Sequence, residues 1–407
     1  MLIRTIACCL LFTTAASATV IRTGPSAPLQ DVLDRAQPGD TIILAPGLYR
    51  QHDIVIRKSL TLIGDNYPVL DGENKYQLLT VTANGTVIAG ITLQHTGRSS
   101  LTDMAGIRLQ QVSQAQVRNC RFINTTYAVY LQNSTHCTVS GNQISAAAGD
   151  ELQSGNGIHA WKCSHLQIRD NTISGHRDGI YFEFVTASGV HHNLSSNNIR
   201  YGLHFMFSHN DVYSHNTFRA NGAGVAVMYT RGVVMYKNNF YHNWGDAAYG
   251  MLLKDITDSR IILNRFHKNT IGIFMDGTSR IDIAGNEFQA NGWAMRVQAN
   301  CDNNKIRMNN FLGNSFDVAT NGTLMLNSYT FNYWDKYDGY DLDRDGNGDV
   351  PYHPVSVYAV LSERIPATML LYRSFLTNIM DQAEKMVPAI IPDQLRDNMP
   401  RTRKWNL

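Results

Sequence analysis

Apolar residues fall along this chain in short runs where every second position is hydrophobic, as at Ile180 and Phe182, Leu203 and Phe205, or Val225 and Val227. Alternation with period 2 predicts strands. A glycine or alanine heads such a run at 106, 128, 157, 179, 202, 224, 250, 272 and 294. At all but the last, an asparagine or cysteine follows 14 residues later, at Cys120, Asn142, Asn171, Asn193, Asn216, Asn238, Asn264 and Asn286, and Asn309 comes 15 after Ala294. A unit near 22 residues therefore recurs nine times. About three short strands per unit, with no helical period, predict an all-β chain wound as a right-handed parallel β-helix, its coils roughly 4.8 Å apart.

Stacking at that spacing assigns roles by column. Phe218, Phe240, Phe266, Phe288 and Phe311 share one phase, with Ile144 and Ile173 ahead of them, and should pile up internally at about 1.5–3 kcal/mol per buried ring. The asparagines should form a ladder whose amides bond turn backbone and one another. A second ladder, Asn198, Asn221, Asn243, Asn269, Asn291 and Asn314, lies five residues on.

If residues one and three after each glycine face inward, those two and four after it face solvent. One outer column then reads Trp161, Glu183, Met206, Met228, Lys254 and Asp276, and its neighbour reads His159, Tyr181, His204, Ala226, Leu252 and Phe274. Met206 and Met228 expose thioethers one coil apart, with the His204 imidazole two residues from Met206 and Glu183 alongside. Such a soft ligand set suits Cu(I) rather than hard, oxygen-seeking cations. The same residues also fit a face covered by a loop or a partner.

Composition adds little beyond a single elongated domain: 43% hydrophobic, 17% charged, net charge +2. Without a strongly basic face, nucleic acid is not an expected partner. Arg4, the apolar run Ile6 to Phe12 and then Ala16, Ser17 and Ala18 predict a cleaved secretory signal over residues 1–18. Residues 19–335 are expected to form the β-helix and 336–407 a C-terminal region. Of the four cysteines beyond the signal, Cys120 sits in the asparagine column, and Cys137 and Cys163 lie on adjacent coils, where a bridge stays open but is not predicted by spacing. No CxxC pair occurs, which argues against a thiolate cluster.

After the last coil, Asp341, Asp343 and Asp345 alternate ahead of Gly346, with Asp349 beyond. This is the start of a calcium loop, although Tyr352 stands where an EF-hand places its glutamate. A solvated acidic turn is the alternative. Residues 367–387 read as an amphipathic helix, with Leu371, Phe375 and Ile379 among its apolar residues. That helix either caps the open end of the β-helix or docks on a partner. Residues 393–407 read as a mobile polar tail.

Several blocks resemble one family: Gly39 to Tyr49, Lys58 to Gly64, Tyr201 to Asn210, Tyr333 to Asp335, Gly339 to Tyr352 and Leu371 to Ser374. The chain is similar to the NosD family, periplasmic accessory proteins for maturation of nitrous oxide reductase. The resemblance implies a non-enzymatic periplasmic protein attached peripherally to the inner membrane through an ABC-type permease and its cytoplasmic ATPase. It further implies support of copper supply to apo nitrous oxide reductase, whose catalytic centre is a copper–sulfide cluster, with a copper donor chaperone as another partner. Under it, His204, Met206, Met228 and Glu183 become a copper relay and the C-terminal helix the permease contact. No catalytic residue is carried over. Two rival classes stand beside it: a carbohydrate-active β-helix enzyme, a lyase or epimerase, and a pure protein-binding scaffold. A glycosidase needs two facing carboxylates, and the outer column offers one, Glu183.

Overall fold

A computed structural model describes residues 18–99, 101–147, 149–151, 154–245, 248–322, 326–356, 358–359, 361, 365, 367–368, 374, 379 and 395–407. The signal reading falls almost wholly outside them. Among the described residues, 39 short strands and one helix are assigned.

The strands form three parallel sheets of 14, 13 and 12 members. The chain visits each sheet once per coil. Thr41–Leu44 lies in the first sheet, Leu48–Tyr49 in the second and Ile54–Ile56 in the third, after which Thr61–Gly64 returns to the first, one coil up. About 13 turns of a right-handed β-solenoid result. The winding begins well before the glycine–asparagine repeat. Coils from Val20 to Gln94 pair in the same parallel register, for example Leu62 with Ile88 and Leu70 with Leu93, but fill their interior with leucine and isoleucine.

Along both asparagine ladders, each corner is made by a residue in the left-handed region followed by a ladder side chain. Between the first and second sheets, Asp170, His192, His215 and Lys237 have φ of 58, 54, 57 and 52°. The next residue in each case is a buried asparagine. Asn216 Oδ1 accepts from the Asn193 backbone N–H at 2.9 Å and from Asn193 Nδ2 at 3.0 Å, while Asn216 Nδ2 donates to Val190 O at 2.8 Å and Asn238 Oδ1 at 3.0 Å. Polar groups inside a tight bend are thereby satisfied without water. The second ladder repeats the scheme, and Cys120 takes its place in the first, its N–H donating to Asn142 Oδ1 at 2.9 Å. The phenylalanines stack as expected, from Phe218 to Phe311 with centroids 4.7–5.4 Å apart, and Trp334 ends the pile 4.0 Å beyond Phe311. The glycine column follows from this pile: a Cβ on Gly202 would stand 2.8 Å from the Phe218 ring and 2.7 Å from Gly224 O.

Both ends are covered. At the first, the helix Leu29–Arg35 buries Leu29 and Leu33. At the other, the expectation of a mobile tail is corrected for 395–407, because Leu395 and Asp397 are fully buried. The last rung of the asparagine ladder would otherwise leave its donors orphaned. Asp397 Oδ2 accepts from Asn332 N and Nδ2 at 3.0 Å each and from Trp334 Nε1 at 3.2 Å. Leu371 and Phe375 of the expected amphipathic helix lie outside the described residues, and Ile379 is helical and 47% exposed. All four cysteines are free and buried, so Cys137 and Cys163 are not bridged. Among the described residues no helix is long and apolar enough to cross a membrane.

Candidate functional site

The expected register holds on the outer face of the third sheet. Trp161 pairs with Glu183, Glu183 with Met206, Met206 with Met228, Met228 with Lys254 and Lys254 with Asp276. Glu183, Met206 and Met228 are half-buried and share one column. His204 also lies where the spacing puts it, beside Tyr181 and Ala226. It is not solvent-facing, however, being only 4% exposed. The residue before each glycine points outward as well, and that column carries Tyr127, Asp178, Tyr201, Tyr249, Trp293 and Phe316. These side chains lean over the neighbouring column. The Tyr201 and Tyr181 rings stand 4.7 and 4.9 Å from the His204 ring.

Asp178 completes the surroundings of His204. It is fully buried, with Oδ2 3.4 Å from His204 Nδ1. Its Oδ1 accepts from Tyr201 N at 3.3 Å and lies 3.7 Å from Arg200 Nε, and Arg200 also pairs with Glu151 at 3.4 Å. A carboxylate only accepts, so Nδ1 carries a hydrogen toward Asp178, and Nε2 is the ring nitrogen turned away from the carboxylate. That Nε2 is buried and has no partner. A carboxylate behind the other ring nitrogen is the usual arrangement of a metal-ligating histidine.

Tyr181 ties the two outer columns together. Its hydroxyl donates to Met206 Sδ at 3.6 Å. Burial and the nearby Glu183 carboxylate push this phenol well above its ordinary range, so it stays a donor. His159, by contrast, is a neutral packing residue: burial and the charges of Arg177 and Arg108 push it down to about 3, and Asn156 Nδ2 donates to its Nδ1 at 3.0 Å. The chain passes directly from Glu183, Met206 and Met228 to Phe184, Phe207 and Tyr229, which are 44%, 37% and 38% exposed. Their rings stack at 5.2 and 5.0 Å. All three sit at φ of 50–54°, the left-handed corner conformation that Asn133, Lys162 and Asp255 adopt at the same position of other coils.

Asp178, Tyr181 and Arg200 were not singled out from the sequence as site residues. The available signal was a lone acid in an outward column otherwise rich in aromatics.

In the acidic loop, carboxylate oxygens of Asp341, Asp343 and Asp345 lie within 4.8 Å of one another. Asp349 does not join this group, because its Oδ2 accepts from Leu342 N at 2.7 Å. Gly346 makes the bend at φ 86°. Its N–H donates to Asp341 Oδ2 at 3.0 Å. Bonds from the Asn347 backbone and side chain hold Asp345 below the usual carboxylate range. The C-terminal segment clamps the loop, with Gly348 N donating to Pro400 O at 2.7 Å and Thr402 N to Gly346 O at 3.2 Å.

Comparison with known proteins adds five matches. A family model described as periplasmic copper-binding protein (NosD) matches residues 144–339. The probable ABC transporter binding protein NosD of Pseudomonas aeruginosa is 28% identical over 403 residues, covering 94% of this chain and 93% of that one. The protein of the same description from Stutzerimonas stutzeri is 27% identical over 371 residues, covering 86% and 84%. Among solved structures, the A-module of an Azotobacter vinelandii mannuronan C-5 epimerase superposes with TM-score 0.54 at 14% identity, over 74% of this chain and 87% of that one. A surface adhesin of Streptococcus pneumoniae gives 0.52 at 9% identity, over 76% and 89%. An enzyme and an adhesin on one scaffold establish the fold alone.

Proposed function

The chain is a NosD-type protein, and on that premise we propose that it is a non-enzymatic periplasmic subunit of an ABC-type complex that supports copper delivery and copper–sulfide cluster assembly in nitrous oxide reductase. The observation that carries this reading is the pairing of an unpartnered His204 Nε2, its Nδ1–H directed at Asp178, with the in-register thioethers of Met206 and Met228. Cu(I) is the cargo, and these atoms, with Glu183 at the margin, are its transient ligands. Low-coordinate sulfur and imidazole ligands let Cu(I) pass by ligand exchange, with no change of oxidation state.

The partners under this reading are a membrane permease with its cytoplasmic ATPase, a copper donor chaperone and the apo reductase. The ridge of Phe184, Phe207 and Tyr229 gives a copper-exchanging partner a firm edge beside the ligands. The C-terminal region, 336–407, makes the permease contact and holds the protein at the inner membrane. Calcium at Asp341, Asp343 and Asp345 is structural, joining the loop to the C-terminal clamp. A carbohydrate-active reading would have to use Asp178. That carboxylate is fully buried and already engaged by Tyr201 N and Arg200, which makes it a poor second acid to face Glu183 in hydrolysis.

The test is anaerobic competition for Cu(I) between a chromophoric chelator and the mature protein, residues 19–407, run beside a Met206→Leu, Met228→Leu variant. Cu(I) is expected to move to the wild type, and affinity to fall at least tenfold in the variant. Equal affinity in the two proteins would remove this column from copper handling.

A further inference from the structure

Four successive coils cross the second sheet at Leu194–Ser196, Thr217–Arg219, Asn239–Tyr241 and Arg265–His267. Each strand with its two corners makes a segment of seven residues, 192–198, 215–221, 237–243 and 263–269, and none of these segments contains aspartate or glutamate. They carry four exposed cations instead, Arg219, Lys237, Arg265 and Lys268. None of the four makes a hydrogen bond or ion pair with any described residue. Cations on the first sheet and its corners are neutralised: Arg169 pairs with Asp170 at 3.0 Å, Arg280 with Asp258 at 2.6 Å and Arg307 with Asp282 at 2.9 Å. The overall charge of +2 therefore conceals a local cationic surface.

The repeat also makes this surface flat. Leu194 pairs with Thr217, Thr217 with Asn239 and Asn239 with Arg265, so the outward side chains stand on one plane about 15 Å long down the coil axis. Arg219, Tyr241 and His267 form one column on it. His192 stacks on His215 at 4.8 Å, and Tyr241 lies against His242 and His267 at 4.2 and 5.2 Å. Trp244, 63% exposed, borders the face. Burial and the charges of Lys268, His267 and Arg219 hold His242 below its ordinary value, which marks a positive field across this edge.

Ammonium and guanidinium groups without counter-ions call for several anions at once, and phosphate is an oxyanion that both bind. A flat, rigid array fits a plane of phosphates, whereas one small ligand needs a concave site. Tyrosine and tryptophan are the side chains that settle at the headgroup level of a bilayer.

We propose that this face of the second sheet docks on an anionic phospholipid surface, with Arg219, Lys237, Arg265 and Lys268 meeting headgroup phosphates and Tyr241 and Trp244 at the same level. The copper column occupies the third sheet, so the docked protein keeps that face open to partners. The lipid contact adds to the attachment through the permease and does not rest on the copper reading.

Co-sedimentation of the mature protein with vesicles of phosphatidylethanolamine and phosphatidylglycerol at low salt tests the proposal, with pure phosphatidylcholine vesicles as comparison. Binding to the anionic vesicles alone is expected, falling as added salt screens the charges. Each cation near an anionic bilayer changes affinity roughly fivefold, so a Lys237→Gln, Lys268→Gln variant should bind at least tenfold more weakly. An Arg35→Gln, Lys305→Gln variant loses the same charge outside this face and should bind as the wild type does. All four side chains are exposed, so both variants should keep the wild-type unfolding temperature. Failure to sediment with either vesicle would overturn the proposal and leave the face to an acidic protein. Equal binding to both vesicles, or an equal loss in both variants, would overturn it as well.

Discussion

Asp211 is an acid inside the solenoid, and replacing it with asparagine should stabilise the protein in a pH-dependent way. The residue is fully buried; Oδ1 accepts from Ser188 N at 2.8 Å, and Oδ2 has no partner. Burial pushes its pKa up to about 8, against roughly 3.9 for an unfolded aspartate. Between those two values the native state holds a proton that the unfolded state has released. Stability therefore falls as pH rises through that window, by about 1.4 kcal/mol per unit where the difference is complete. Native Asp211 thus costs up to about 4 kcal/mol at pH 7 relative to pH 4. Asn304 occupies the same column further along and shows what an amide does there: its Oδ1 accepts from Ile281 N at 2.9 Å and its Nδ2 donates to Thr278 O at 3.0 Å. Asp211→Asn reproduces those bonds without a proton to lose. Thermal unfolding followed by circular dichroism from pH 4.5 to 8.5 should show the two proteins nearly alike at the acid end. The variant should then gain steadily, by several degrees at pH 8. A constant offset across that range, or a variant less stable than wild type at pH 8, would refute the reasoning.

Other outcomes follow from the same structure. Asp397→Ala orphans three buried donors, on Asn332 and Trp334, and should cost about 3–5 kcal/mol, read as a lower denaturation midpoint together with new protease cleavage between 395 and 407. Calcium at millimolar concentration should raise the unfolding temperature of wild type and leave an Asp343→Asn, Asp345→Asn variant unmoved, and an equal shift in both proteins would dismiss Asp341, Asp343 and Asp345 as the site. In the Cu(I) competition, Asp178→Asn should weaken binding by about 10–100-fold, as loss of the partner behind a histidine ligand does elsewhere, without the larger stability loss expected if it served only packing.

What the sequence made legible follows from which interactions repeat. The pile from Phe218 to Phe311 and the two asparagine ladders recur at a fixed interval because each rung bonds or packs against the next, so spacing alone reveals them. Coils before Gly106 lie on the same winding but fill their interior with leucine and isoleucine, which carry no periodic polar mark. The helix Leu29–Arg35 has no repeat to betray it. At the C-terminal end, Asp397 is separated from Asn332 by 65 positions. No local pattern connects that polar segment to the ladder it completes, and it reads as a tail.

The outer face of the third sheet was legible one column at a time and not as a surface. Alternation correctly placed Glu183, Met206 and Met228 in register, yet it assigned His204 to solvent, because exposure on this face depends on a third column set by the residues before each glycine. The pair that matters chemically, Asp178 and His204, is 26 residues apart and on adjacent coils. Its geometry follows from stacking at the coil spacing, with Tyr201 one coil above Asp178 and Tyr181 one coil below His204 closing over the ring. The burial that contradicts an exposed imidazole also holds its Nδ1–H against a carboxylate and leaves Nε2 buried without a protein partner. A histidine lying open on the sheet would lack both constraints, and its proton would be free to move between nitrogens. Covering by tyrosine therefore strengthens the case for His204 as a ligand, while the half-buried thioethers of Met206 and Met228 keep the edge through which a soft ion could enter and leave.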